Sequence, residues 1–251
     1  MRSVAAAVLG LAVAVGASRQ QADVRVPVAV MAAAERGPLS LAHALATLGV
    51  PAGLVTRENP SVVEAVTVDP DSRETTPLTT VLSAFSSRHP GYAVKWRPPV
   101  FGIEETGLAC ADAARALTIK PARMTSDMPR LLVMLAWLAS GDPPPVPGGQ
   151  ISTLGGKTVA AAAPPLPSLD LILSRTTSLE SAFDKVVTLN KGGVWIIWEH
   201  RRDDGNIGCR SVGYYSNGHV GASSQDFAVL SGAGVPHPGQ RESRVDRSGV
   251  Q

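Results

Sequence analysis

The chain has 251 residues, enough for one large domain or for two to three small ones. Hydrophobic residues make up 44% of it and charged residues 18%, a composition that excludes a wholly disordered protein. The formal net charge of +2 is close to neutral, so the charge balance does not indicate a protein that binds nucleic acid.

Residues 1–17 have the pattern of a secretory signal peptide. Arg2 supplies a short positive segment, small apolar residues run from Val4 to Val15, and the small residues near Ala17 fit a cleavage site. The apolar run is too short to span a membrane comfortably, and the alternative is a buried N-terminal helix or strand. We expect a periplasmic or secreted protein whose mature form has no transmembrane segment.

Residues 18–120 form a first predicted module. Its expected elements are a strand at Val24 to Met31, a helix opened by Gly37-Pro38, strands at Gly53 to Thr56 and Val62 to Val68, a helix over 77–87 capped by Thr76 with Pro77 at its first position, a hairpin of Tyr92 to Trp96 and Val100 to Glu104 joined by Pro98-Pro99, and a strand at Ala116 to Lys120.

Residues 121–141 are predicted to hold one further helix, at about 128–140, capped by Asp127 or Ser126 and ended by Gly141. A Pro/Gly-rich surface loop is expected over 142–167 and a disordered tail over 232–251. Between them, residues 168–231 form a second module. Its expected elements are a strand at Leu169 to Leu173, a helix with the capping box Thr177-x-x-Glu180, a strand at Val194 to His200, a turn at Asp204-Gly205 and a return strand at Ile207 to Tyr215.

The two modules share a helix-then-strand order. From Thr76 and again from Thr177, apolar residues follow at the second, sixth and ninth positions, and a glycine and a tryptophan-containing strand come next. Repeated small units are typical of binding or assembly modules. We therefore predict an α+β fold of two small strand–helix–hairpin modules, with helices packed on short mixed or antiparallel sheets, plus one additional helix.

The run from Pro38 to Leu45, followed by Gly49-Val50-Pro51, resembles the opening helix of the secretin and TonB N-terminal short domain. The segments Thr76 to Leu82 and Tyr92 to Ile103 resemble it as well. The likeness covers roughly residues 37–104 and, more weakly, 168–215. It implies βαβ-like periplasmic interaction domains, with no catalytic residues to carry over. The chain lacks the long series of alternating strands of a pore, so the resemblance does not extend to transport.

Cys110 and Cys209 are the only cysteines. An oxidising compartment permits a disulfide between them, and the alternative is two unpaired, half-buried thiols. Neither has a C-x-x-C partner, which gives no support to a zinc site or to thioredoxin-type chemistry.

The strand from Val194 to Trp198 is apolar at both alternating sets of positions. Such a strand either is central and covered on both sides, or presents one face to a partner. In the second interpretation, Trp195 and Ile197, extended by Tyr214 on the return strand, form a binding surface. An open edge of the sheet would then accept a strand from the partner.

No catalytic motif with specificity is present. Glu199 to Asp204 is the densest polar cluster, and with His219 it would form the acid–base or metal site of a secreted hydrolase built around His200 and Asp203. The alternative is a charged, solvated hairpin end.

We predict an exported, non-catalytic binding or assembly protein of the periplasm or cell envelope, without cofactor or metal. Its partner is expected to be an envelope protein or a cell-wall glycan, and self-association through the open edge is a further alternative. The hydrolase is the competing hypothesis.

Overall fold

The structure, a computed structural model, describes residues 24–61, 67–141, 167–214 and 220–231. The predicted α+β class is confirmed. The helices of this part are α1 (Ala29–Arg36), α2 (Pro38–Thr47), α3 (Leu78–Arg88), α4 (Ala109–Ala116), α5 (Met128–Ser140) and α6 (Leu179–Leu189). The strands are β1 (Arg25–Pro27), β2 (Ala52–Thr56), β3 (Thr75–Pro77), β4 (Tyr92–Arg97), β5 (Val100–Glu105), β6 (Thr118–Ile119), β7 (Ala122–Ser126), β8 (Leu169–Leu173), β9 (Thr177–Ser178), β10 (Val194–Arg201), β11 (Ile207–Tyr214) and β12 (Val220–Leu230).

A six-stranded mixed sheet, in the order β12-β11-β10-β2-β5-β4, runs through the middle of the molecule. Its three inner strands β10, β2 and β5 are parallel, while β11 and β12 on one side and β4 on the other are antiparallel to their neighbours. The hairpins of both predicted modules therefore belong to one sheet, with β2 between them. Three two-stranded pairs, β1–β3, β6–β9 and β7–β8, complete the sheet structure of the described residues.

Helices cover both faces of the large sheet. Helices α1, α2 and α3 pack on the face that carries Val194 and Ile196 of β10. Helices α4, α5 and α6 pack on the opposite face, which carries Trp195 and Ile197. Because side chains alternate along a strand, β10 supplies both cores at once. This explains why it is apolar on both sides, and the interpretation of β10 as a central, covered strand is confirmed.

Both helices of the repeated pattern begin one residue later than the sequence predicts. Thr76, the predicted N-cap of α3, lies in β3, where it pairs with Val26, and Pro77 takes the N-cap position. Thr177 likewise pairs with Ile119, and Ser178 caps α6 by accepting a hydrogen bond from the Ser181 amide at 3.3 Å. Strand pairing keeps each threonine extended, so the capping position moves to the next residue.

Other predictions need correction. The strand expected at Val24 to Met31 is strand only at Arg25–Pro27, because the apolar residues after it lie at helical spacing and α1 buries Val30, Ala33 and Ala34. The strand expected at Ala116 to Lys120 is limited to β6, since Ala116 ends α4. The sequence does not predict helices α1 and α4 or strands β3, β7, β9 and β12.

The remaining elements follow the sequence. Helix α5 has Asp127 as its N-cap and the left-handed Gly141 after its last residue. The hairpins β4–β5 and β10–β11 and the strands β2 and β8 lie where the pattern places them. No described helix is long and apolar enough to cross a membrane. The predicted signal peptide, the loop over 142–167 up to residue 166, most of the strand at Val62 to Val68 and the tail lie outside the described residues.

Candidate functional site

Two of the three residues predicted to form an exposed binding surface are buried. Trp195 is 1% exposed and Ile197 is 0% exposed, because α4, α5 and α6 cover their face of the sheet. The hypothesis that they present a surface to a partner is therefore wrong. Tyr214 ends β11, and its side chain lies outside what the structure describes.

Trp195 lies flat across the neighbouring strand because that strand has a glycine opposite it. Gly53 of β2 is the register partner of Trp195, and a Cβ atom at position 53 would overlap the indole ring. The indole Nε1 donates a hydrogen bond of 2.8 Å to Asp184 Oδ1 on α6. The buried tryptophan thus satisfies its only polar atom through the helix above it.

Arg97, at the end of β4, reaches the same carboxylate from the other side. Its Nε donates to Asp184 Oδ2 at 2.9 Å, and its Nη1 lies 3.0 Å from Glu180 Oε1. The guanidinium crosses over Gly102, where a Cβ atom would crowd Nη1, and its carbon lies 5.7 Å from the centre of the Trp195 ring. We call Asp184, Arg97, Glu180 and Trp195 the Asp184 cluster.

The Asp184 cluster ties α6 to both hairpins of the sheet. Burial raises the pKa of the Glu180 carboxyl, and the charge of Asp184 adds to this while that of Arg97 opposes it. Arg97 thus forms ion pairs with two carboxylates in a half-buried site. Such an arrangement stabilises the packing of α6 on the sheet.

A groove opens beside this cluster, with a volume of about 760 Å³. One wall is the face of α6 formed by residues at helical spacing, Ser181, Asp184, Lys185 and Thr188. The opposite wall is β8, which contributes three consecutive residues from Asp170 to Ile172. Pro98 and Pro99 line it as well. Its volume falls in the range of ligand-binding clefts.

The groove exposes apolar side chains. Ile172 on β8 is 52% exposed and Leu189 at the end of α6 is 44% exposed. They are two of the five large hydrophobic residues that are exposed in the described part of the chain. Their presence on the walls of one groove distinguishes it from scattered surface hydrophobics.

A second polar cluster lies where the sequence suggested a hydrolase site, but its membership differs. His200 Nε2 contacts Asp226 Oδ1 at 2.8 Å, and Asp226 also accepts hydrogen bonds from Arg202 at 2.8 Å and Arg210 at 3.0 Å. Asp203, the predicted partner of His200, lies exposed in the turn after β10, and His219 lies outside the described residues. We call Asp226, His200, Arg202, Arg210 and Trp198 the Asp226 cluster.

The Asp226 carboxylate is buried and has three donors. Burial alone would raise its pKa, but the hydrogen bond from His200 and the charge of Arg210 hold the pKa below its ordinary value. Arg210 also lies over Trp198, with the guanidinium carbon 5.6 Å from the ring centre. The carboxylate is therefore held ionised as an ion-pair partner, which does not suit proton transfer near neutral pH.

A third set of charges stands at the carboxyl ends of the parallel strands, where ligands bind in many open α/β sheets. Glu199 of β10 accepts from Arg57 Nε at 3.2 Å and from the Cys110 amide at 3.0 Å. Arg57 also donates to Glu105 at 3.2 Å. These carboxylates, like Asp226 and Asp184, are neutralised by neighbours, and the described residues contain no group of side chains able to hold a metal ion.

Cys110 and Cys209 form a disulfide with a Cα–Cα distance of 5.5 Å. Of the two alternatives that the sequence left open, the structure contains the bonded one. It fastens α4 to β11 beneath the Glu199 carboxylate, and both cysteines are buried.

The chain matches no protein-family model, no curated protein and no solved structure. The geometry of the groove and of the polar clusters is therefore what bears on function.

Proposed function

We propose that the protein is an exported, non-catalytic binding or assembly protein of the periplasm or cell envelope, of the kind that the secretin and TonB short-domain resemblance implies. The observation that carries the proposal is the groove between α6 and β8, with Ile172 and Leu189 exposed on its walls. A groove that combines exposed apolar side chains with polar groups on its walls can recognise a ligand through both kinds of contact.

The polar clusters support binding over hydrolysis. His200 has its Nε2 engaged by Asp226, and Asp226 is in turn held by two arginines. A carboxylate can orient a catalytic histidine, but nucleophilic catalysis also needs a hydroxyl or thiol within hydrogen-bond reach of the ring, and the described residues place only Asp226 there. The buried disulfide supports export, because such bonds persist in oxidising compartments.

Site-specific photo-crosslinking tests the proposal. The full chain is expressed in its native host with the photo-reactive residue p-benzoylphenylalanine in place of Leu189. The matched control carries it in place of Leu138, which is also on a helix and is also 44% exposed, but does not line the groove. We expect a discrete adduct in the envelope fraction from position 189 and none from position 138. Equal labelling at both positions, or no adduct at 189, would overturn the proposed binding function.

A further inference from the structure

The wall of the groove formed by β8 is a strand edge. Side chains of successive strand residues point to opposite faces, so three consecutive residues can line one groove only if the backbone between them does. Leu171 is buried in the core while Asp170 and Ile172 are exposed, which agrees with this alternation. In the part of the chain that the structure describes, β8 pairs with β7 alone.

The open side of β8 is occupied by a side chain where a strand would fit. Lys185 of α6 donates from Nζ to the carbonyl oxygen of Ile172 at 3.1 Å. A strand edge with unpaired backbone groups is a template for another strand, and a lysine that covers it is one way in which proteins block unwanted pairing. A lysine side chain can swing aside, so this cover is reversible.

The charges of the groove favour an acidic ligand. Asp170 is paired with Arg123 at 2.8 Å, and Asp184 is paired with Arg97. Lys185 is the one charged group on the walls for which the described residues supply no opposite charge within salt-bridge distance. When the ammonium leaves the Ile172 carbonyl, a carboxylate is the partner that it would bind most strongly.

The dimensions suit a short extended segment. From Ser181 to Thr188 the wall of α6 is about 10 Å long at the rise of an α-helix. About three strand residues cover the same distance. An apolar side chain of such a segment would lie against the exposed Ile172 and Leu189.

We propose that the groove binds an extended segment of a partner protein, which adds as a strand to the edge of β8 that no described strand occupies, places an apolar side chain on Ile172 and Leu189, and offers a carboxylate to Lys185. This inference rests on the proposed binding function and names its partner class as polypeptide. The backbone of β8 supplies affinity, and Lys185 supplies the preference for an acidic residue.

Titration of the full-length protein with synthetic hexapeptides tests the proposal. Each peptide has one central Glu and apolar residues at alternating positions, and the apolar residue is Val, Ile, Leu or Phe in successive peptides. Binding is followed by fluorescence anisotropy. One control peptide carries Lys in place of Glu. Another is methylated at alternate backbone nitrogens, which removes the strand hydrogen bonds and keeps the side chains.

We expect at least one parent peptide to bind more tightly than its methylated form by about tenfold or more. Lys185→Ala should abolish the preference for Glu over Lys, while Lys191→Ala, outside the groove, should keep it. Ile172→Thr, which preserves strand propensity, should weaken binding of every peptide.

Equal binding of the methylated peptides would overturn strand addition, as would absence of binding by every parent peptide up to about 1 mM. A Glu preference that survives Lys185→Ala would overturn the role of Lys185. If an adduct still forms at position 189 in any of these cases, the proposed binding function holds, but the partner belongs to another class. Crosslinking from position 189 into the same chain or into a second copy would assign the groove to that occupant and overturn the proposal.

Discussion

The Asp184 and Asp226 clusters use the same parts for different purposes. Each has an aspartate that accepts from an arginine, and in each an arginine lies over a tryptophan, at 5.7 Å in one and 5.6 Å in the other. The Asp184 cluster joins a helix to the sheet, and its tryptophan is buried. The Asp226 cluster joins β10, β11 and β12 with the turn between β10 and β11, and its Trp198 is partly exposed.

The difference shows that the role of a charged cluster depends on which elements of the fold it connects. The Asp184 cluster positions α6, which forms one wall of the groove, so its integrity bears on binding. The Asp226 cluster neutralises a buried carboxylate between β10, β11 and β12, so it bears on the cohesion of the sheet. Of the residues in the predicted hydrolase site only His200 belongs to the Asp226 cluster, while the groove lies beside the Asp184 cluster.

Trp195→Ala should have the largest effect. We expect a loss of about 3–5 kcal/mol in the free energy of unfolding, because a fully buried indole leaves a cavity and Asp184 loses a donor. Trp198→Ala is the matched variant in the Asp226 cluster and should cost only about 1–2 kcal/mol, because the ring is partly exposed. Urea unfolding followed by circular dichroism measures both. Equal losses would contradict the distinction between the two clusters.

Loss of the disulfide should come next. The double variant Cys110→Ala, Cys209→Ala should be destabilised by about 2–5 kcal/mol, since the bond closes a long loop. Cys209 adjoins Arg210 of the Asp226 cluster, so the sheet end with that cluster should lose protection from amide exchange first. The amides of α6, held by the Asp184 cluster, should lose protection later. Simultaneous loss at both places would show that the two regions unfold as one unit.

Local features of the fold were readable from the sequence. The Asp127 cap and Gly141 defined α5, and the apolar character of β10 on both faces indicated a central strand. The turn at Asp204-Gly205 even fixes the register of β10 and β11, which places Arg210 opposite Trp198. That signal could have identified two of the five members of the Asp226 cluster.

The rest depends on contacts between distant residues. Nothing near Gly53 in the sequence indicates that Trp195 will lie on it, because parallel neighbours have no local turn to set their register. Asp226 meets His200 only because β12 pairs with β11, and β12 itself was not predicted. The groove could not be foreseen either, since its walls come from α6, β8 and the β4–β5 turn.

Gly53→Ala tests the packing of Trp195, a member of the Asp184 cluster, against β2. A methyl group would overlap the Trp195 ring, and the ring cannot move without losing its bond to Asp184. We expect a loss of about 1–3 kcal/mol from overpacking. Gly91→Ala is the control, because a Cβ atom there meets nothing within 4 Å. In a Trp195→Phe background the cost of Gly53→Ala should shrink, and thermal unfolding of the four variants measures this coupling.

Asp226→Asn should have the smallest effect at neutral pH and the clearest dependence on pH. Removing the charge leaves Arg202 and Arg210 without their shared partner, and because both arginines reach solvent we expect a loss of about 1–2 kcal/mol. The pKa of this carboxyl is lowered in the folded protein, so its contribution is fully present above the ordinary carboxyl pKa near 4. The contribution disappears as the pH falls through the lowered value.

In a His200→Gln background, which removes the titratable ring that contacts Asp226, the difference in unfolding free energy between the protein with Asp226 and its Asp226→Asn form should therefore be constant from neutral pH down to about pH 4 and shrink below it. Urea unfolding at a series of pH values measures this difference. Asp203→Asn, which removes an exposed carboxylate from the adjacent turn, controls for the change in net charge. In that background, a difference that grows as the pH falls would mean that Asp226 is protonated in the folded protein at neutral pH, and this would support the acid–base interpretation of the His200 region.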